Sequence, residues 1–110
     1  MRARFIGKPG RTFTKAETHA ARLRLRTANP TPGGATFALG ITRPGTVRVR
    51  VFDVRGALVR TVEQATAPAG ERLFTWDGMD ARGAPVPNGV YYLRVESPDG
   101  SATQRIAILR

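Results

Sequence analysis

From residue 22 onward the chain alternates apolar and polar positions with a period of two. Leu23 and Leu25 alternate with Arg22, Arg24 and Arg26. Asn29-Pro30-Thr31-Pro32-Gly33-Gly34 has the composition of a loop. Phe37, Leu39 and Ile41 then alternate with Thr36, Ala38 and Gly40, and Pro44-Gly45 interrupts the chain. Val47, Val49 and Val51 alternate with Thr46, Arg48 and Arg50, and Ala57 to Val62 forms a shorter apolar run. Phe74 and Trp76 share one face with Thr75 opposite. Tyr91, Leu93 and Val95 share another, with Tyr92, Arg94 and Glu96 opposite, and Ile106 and Ile108 close the series. Successive side chains of a strand point to opposite faces, so this period predicts strands with one buried and one wet face. Seven such segments with turn signals roughly every ten residues predict an all-β antiparallel sandwich or barrel. No stretch after residue 22 holds a helical period. The inward face is expected to comprise Phe37, Leu39, Val47, Val49, Val51, Phe74, Trp76, Tyr91, Leu93, Val95, Ile106 and Ile108.

The turns fix part of the pairing. Asp53-Val54-Arg55-Gly56 carries Asp at the first and Gly at the fourth position of a type I turn, and Asp80-Ala81-Arg82-Gly83 repeats that chemistry. Asp99-Gly100 between two strand patterns is a strong hairpin signal. These signals pair 46–53 with 57–63 and 90–97 with 101–109.

Residues 1–20 show no sustained periodicity. Thr14-Lys15-Ala16-Glu17 fits a capping box, which is compatible with a short helix over 15–21. The reading adopted is a basic linker, or the tail of a preceding domain, over 1–21 and a single sandwich over 22–110. The 110 residues suffice for one domain. The basic start, Met1-Arg2-Ala3-Arg4-Phe5-Ile6-Gly7-Lys8, is not followed by the apolar stretch of a signal peptide, and no run reaches membrane-span length.

The formal charge of +10 raises the question of nucleic acid. The charge is uneven, however. Residues 1–27 hold eight basic residues and one acid, whereas residues 28–110 hold ten basic residues and seven acids. The arginines at 22, 24, 26, 48 and 50 read as solvated strand faces that also discourage edge pairing. Weak, sequence-independent nucleic-acid binding is the expectation, and a small basic nucleic-acid-binding protein is the alternative function.

Candidate catalytic chemistry is sparse. The sequence has no cysteine, which removes disulfides, thiolate metal sites and a thiol nucleophile. The single His19 lies in the leader, and Ser97 and Ser101 flank a hairpin turn. A serine nucleophile needs a base held beside it, and nothing supplies one. Asp53, Asp77 and Asp80 offer too few oxygens for calcium and read as turn-forming acids. Trp76 reads as a core anchor and Tyr91 as a core residue whose hydroxyl reaches a backbone partner. No catalytic residue, metal or cofactor is therefore expected.

Several local motifs together resemble a known family. They are Asn29-Pro30, Val47 through Asp53 with Gly56, Leu58 to Val62, Ala69-Gly70, Phe74-Thr75-Trp76-Asp77-Gly78, Asp80, Gly83, Val86 and Gly89-Val90-Tyr91. Over about residues 28–110 they resemble the immunoglobulin-like domain of the flagellar hook-capping family. That domain is similar to the C-terminal sorting domain of type IX secretion cargo. The resemblance implies an immunoglobulin-like sandwich of about seven strands without catalysis. In the hook-capping family it is a protein-interaction module. In secreted cargo it is recognised by export machinery at the outer membrane. The implied role is a C-terminal sorting, anchoring or protein-interaction module of a larger secreted or cell-surface protein, with export machinery or a cell-surface component as partner. The ending Arg105, Ile106, Ala107, Ile108, Leu109 and Arg110 resembles the final basic-plus-apolar strand of sorting domains, and is the candidate recognition strand. Asp53, Gly56, Trp76, Asp77, Gly78, Gly83, Gly89 and Tyr91 are the candidate structural motif. Cargo proteins carry an upstream domain and a signal peptide; a truncated reading frame would account for their absence here.

Overall fold

A computed structural model describes residues 22–110. The helix considered near 15–21, its capping box and His19 lie outside the described residues. Seven strands are present: β1 (Arg22–Leu25), β2 (Ala35–Ile41), β3 (Gly45–Phe52), β4 (Leu58–Ala67), β5 (Gly70–Trp76), β6 (Gly89–Ser97) and β7 (Gly100–Ile108). They form two antiparallel sheets, ordered β1-β2-β5 and β4-β3-β6-β7. The fold is a sandwich, one of the two architectures that the alternation and turn spacing predict, and it is of the immunoglobulin-like type that the resemblance implies.

The period-two faces become the core. All twelve residues expected inside are buried, with Phe37, Leu39, Val47, Val49, Val51, Leu93, Val95 and Ile106 fully so. Ala35, Ile41, Ala67 and Val86 complete the cluster, and Leu23 and Leu25 pack against it half-buried. Burial of apolar surface on two facing sheets is the main favourable term for such a fold.

Both predicted hairpins form, with one extension. β4 runs on to Ala67 and pairs along all of β3. Its sequence Leu58-Val59-Arg60-Thr61-Val62 does not alternate, and two register shifts explain why. Val51 pairs with Arg60 and Phe52 with Leu58, leaving Val59 as the extra residue. Val49 pairs with Glu63 and Arg50 with Thr61, leaving Val62 extra. Each bulge resets the phase of the strand, so Val59 and Val62 both pack against the core. The same bulges bend an edge strand and make it a poor template for further pairing.

The ends of the sandwich are tied by side chains. At one end Asp99, in the β6–β7 turn, clamps the β2–β3 turn. Its Oδ2 accepts the Thr42 amide at 2.8 Å, its Oδ1 accepts the Thr42 hydroxyl, and Arg43 Nη2 donates to the Pro98 carbonyl at 2.6 Å. Those hydrogen bonds, with Arg43 and Arg22 nearby, hold the Asp99 carboxyl below the ordinary aspartate value. At the other end Trp76 lies buried, with its indole Nε1 donating to the Met79 carbonyl at 2.9 Å. Its ring meets Tyr91 of the opposite sheet edge-on, centroids 5.6 Å apart.

Two outcomes follow from this packing. Trp76→Ala removes the largest buried side chain and is expected to lower unfolding free energy in urea by about 3–5 kcal/mol; a loss below about 1 kcal/mol would place Trp76 outside the core. The depressed Asp99 pKa means that its stabilisation is complete above the unfolded aspartate value and is lost as pH falls through the lower folded value. The unaltered chain should therefore melt above Asp99→Asn at neutral pH, and the gap should close below about pH 4. A gap that persists in acid contradicts the clamp.

Candidate recognition surface

The two aspartate turns are built alike. Asp53 Oδ1 accepts the amides of Arg55 and Ala57 at 2.9 and 3.0 Å, and Gly56 at φ 84° closes the turn. Asp80 Oδ1 accepts the amides of Arg82 and Ala84 at 2.9 and 3.0 Å, and Gly83 has the same φ. The hydrogen bonds from Ala84 and Arg82 hold the Asp80 carboxyl below its ordinary value. Asp77 Oδ1 accepts the Met79 amide at 3.0 Å and Arg60 Nη1 at 3.2 Å. The three acids weighed as calcium ligands are thus engaged by backbone amides and an arginine. Among the described residues no three metal-ligating side chains cluster.

The rest of the motif serves the same end of the sandwich. Gly78 is buried at φ 78°, and a Cβ there would stand 3.0 Å from the Gly33 carbonyl carbon. The Tyr91 hydroxyl donates to the Pro87 carbonyl at 2.7 Å, and burial pushes its pKa up. Gly89 opens β6. Asp77, Gly78 and Tyr91 thus lie beside Trp76, whereas Asp53 with Gly56 and Asp80 with Gly83 close two turns of their own. Ser97 is held in the hairpin turn, its Oγ donating to the Gly100 carbonyl at 3.3 Å.

β7, which carries the candidate recognition strand, is an edge strand of the four-stranded sheet. Ile106 and Ile108 point into the core, while Arg105 and Leu109 are exposed. The outward backbone of its last residues is already engaged. Asn29 Nδ2 donates to the Arg105 carbonyl at 3.0 Å, and Asn29 Oδ1 accepts the Ala107 amide at 2.9 Å. Thr31 continues the pairing. Its amide donates to the Ala107 carbonyl and its carbonyl accepts the Leu109 amide, both at 2.9 Å. Arg110 is tied back by its amide to Asn88 Oδ1 at 3.0 Å and by its guanidinium to the Val86 carbonyl. The period of two places the backbone groups of Ser101 and Thr103 on the same outward side, where no backbone partner meets them among the described residues.

Asn29 and Thr31 were legible only as loop residues. Their partners lie 76 to 78 positions away, and only the three-dimensional register brings them together. The Asn-Pro sequence marks a turn and carries no sign of what the Asn side chain holds.

Comparison with known proteins agrees with this architecture. The profile of the FlgD Ig-like domain matches residues 26–101. The chain belongs to the FlgD Ig-like domain family. It is 36% identical over 72 residues to the basal-body rod modification protein FlgD of Salmonella typhimurium strain LT2, covering 64% of this chain and 31% of that protein. The chain thus spans less than a third of that relative's length. Among solved structures, PorU of Porphyromonas gingivalis matches 81% of this chain and 9% of its own, with TM-score 0.63 and 24% identity, a likeness of fold. PorZ of the same organism, described as an essential surface component of its type IX secretion system, matches 82% of this chain and 11% of its own. Its TM-score is 0.52 and its identity 27%.

Asn29→Ala removes both side-chain bonds to β7 and leaves the Ala107 amide to water. The expected cost is about 1–3 kcal/mol of stability in chemical denaturation; an unchanged midpoint and slope would show that the clasp contributes nothing.

Proposed function

We propose that residues 22–110 form a non-catalytic sorting, anchoring or protein-interaction module of a secreted or cell-surface bacterial protein, with residues 1–21 as a basic linker or the tail of a preceding domain. The observation that carries this reading is family membership. The chain belongs to the FlgD Ig-like domain family over most of its length, and the matching part is a minor share of the Salmonella FlgD and of PorZ. The likeness to a type IX surface component favours an exported setting. The partner in this reading is a protein, either export machinery or a cell-surface component. The chemistry is consistent with it. The acids and glycines of the motif are occupied by turns around a buried tryptophan, which leaves recognition to exposed strands.

Within this reading, recognition at β7 follows from its place at a sheet edge. Strand addition uses free backbone donors and acceptors. Asn29 and Thr31 occupy those of Arg105 to Leu109, so recognition of the final residues falls to the side chains of Arg105 and Leu109. Added backbone pairing falls to Ser101 and Thr103. A fusion tests the role. The whole chain, joined to a periplasm-directed reporter in a host with type IX secretion, is expected to carry the reporter to the cell surface. A reporter that stays periplasmic, while an established sorting domain exports it, overturns sorting and leaves an interaction module of the hook-capping kind.

A further inference from the structure

The outer face of the four-stranded sheet carries an unbalanced charge. Arg48 and Arg50 of β3, Arg94 and Glu96 of β6 and Arg105 of β7 stand on it, four arginines against one glutamate. The other charged side chains of residues 28–110 balance, six arginines against six carboxylates. Within residues 28–110 the positive excess therefore sits on this sheet face, and β1 adds Arg22 and Arg24 on the other sheet.

Cross-strand register sharpens the imbalance. Arg50 lies directly opposite Arg94, and like charges so placed destabilise a sheet pair. One carboxylate serves three guanidinium groups. Glu96 Oε1 accepts Arg48 Nη1, and Oε2 accepts both Arg50 Nη2 and Arg94 Nε, each at 3.3 Å. The Nε donors of Arg48 and Arg50 have no acceptor among the described residues. Alongside runs an apolar row, Leu58, Phe52 and Tyr92 in register across β4, β3 and β6, ending at Arg105 of β7. Leu58 and Tyr92 are exposed, and the Arg50 guanidinium covers the Phe52 ring at 5.3 Å. Stability of the isolated fold would be served better by neutral or alternating charge at these positions.

We propose that this face binds an extended acidic segment of another protein. Arg50, Arg94 and Arg105 take carboxylates spaced along the segment, and an apolar side chain between them rests on Leu58, Phe52 and Tyr92. The proposal deepens the interaction-module reading and rests on it. Geometry suits a strand-like peptide. Neighbouring strands are about 4.8 Å apart, so the path from β3 to β7 is roughly 10 Å, crossed by about three extended residues. A guanidinium fork matches a carboxylate with two parallel hydrogen bonds. Nucleic acid fits less well. An excess of three charges releases few counterions, and an arginine already covers the Phe52 ring that a base would stack on.

The test is a nuclear magnetic resonance titration of the whole chain with a capped synthetic peptide in which aspartate alternates with valine. Saturable amide shifts are expected on the outer face of β3, β6 and β7, weakening as salt is raised to roughly 0.5 M. R50E/R94E should weaken binding by roughly tenfold or more, and Arg24→Glu, on the other sheet, should leave it unchanged. R50Q/R94Q separates folding from binding: it relieves the like-charge pair, should melt no lower than the unaltered chain, and should still lose affinity. Shifts centred on β1, equal binding by either double variant, or tighter binding of single-stranded oligothymidine than of the peptide would overturn the proposal. If the peptide binds here and the reporter fusion is not exported, this surface stands and the sorting role falls. If the fusion is exported and the peptide fails to bind, this surface falls alone.

Discussion

The edge-on contact between Trp76 and Tyr91 joins the two sheets, and much of the surrounding structure depends on it. Trp76 ends β5 in the three-stranded sheet and Tyr91 begins the buried face of β6 in the other. An indole is the largest apolar group available, and its N–H must find an acceptor once buried. The chain supplies one by turning sharply through Asp77, Gly78 and Met79, which brings the Met79 carbonyl back over the ring. That turn needs a residue without a Cβ against Gly33, and Gly78 provides it. Tyr91 solves the same problem with the Pro87 carbonyl. The polar chemistry at this end of the molecule thus includes the hydrogen-bond satisfaction of two buried aromatic side chains.

What could be read from the sequence, and what could not, divides by distance along the chain. Period-two alternation is local, so the strands and the twelve core positions were legible. Turn chemistry is local as well. Asp53 and Asp80 each bond amides two and four residues on, and both turns were foreseen with their glycines. β4 was underread because bulges break the period that defines a strand: Val59 and Val62 both face inward although three residues apart. The clasp of Asn29 and Thr31 on β7, and the convergence of three arginines on Glu96, depend on which strands become neighbours. No local pattern encodes that. Alternation marks the arginines of β3 as an outward face, which accounts for their side of the sheet but not for their half-burial and crowding around one carboxylate.

Membership in the FlgD Ig-like domain family accounts for the economy of the chain. Glycines and turn acids set the turns, and the exposed surface lies on the outer sheet faces and edges. The two edges of the larger sheet are treated differently. Bulges distort β4, whereas a short parallel bridge at Thr31 and the Asn29 side chain cover the end of β7. A sheet edge that stays flat and open invites pairing with other chains. Among the described residues, the portion of β7 near Ser101 and Thr103 is left open by these devices.

Among the described residues β7 is thus closed at its end and open near its start. Residue-resolved hydrogen exchange of the whole chain at neutral pH measures this directly. The Ala107 and Leu109 amides should be protected, along with the core amides that face β6, while the Ser101 and Thr103 amides should exchange at rates close to those of an unstructured chain. Strong protection at Ser101 and Thr103, or rapid exchange at Ala107 and Leu109, would contradict it.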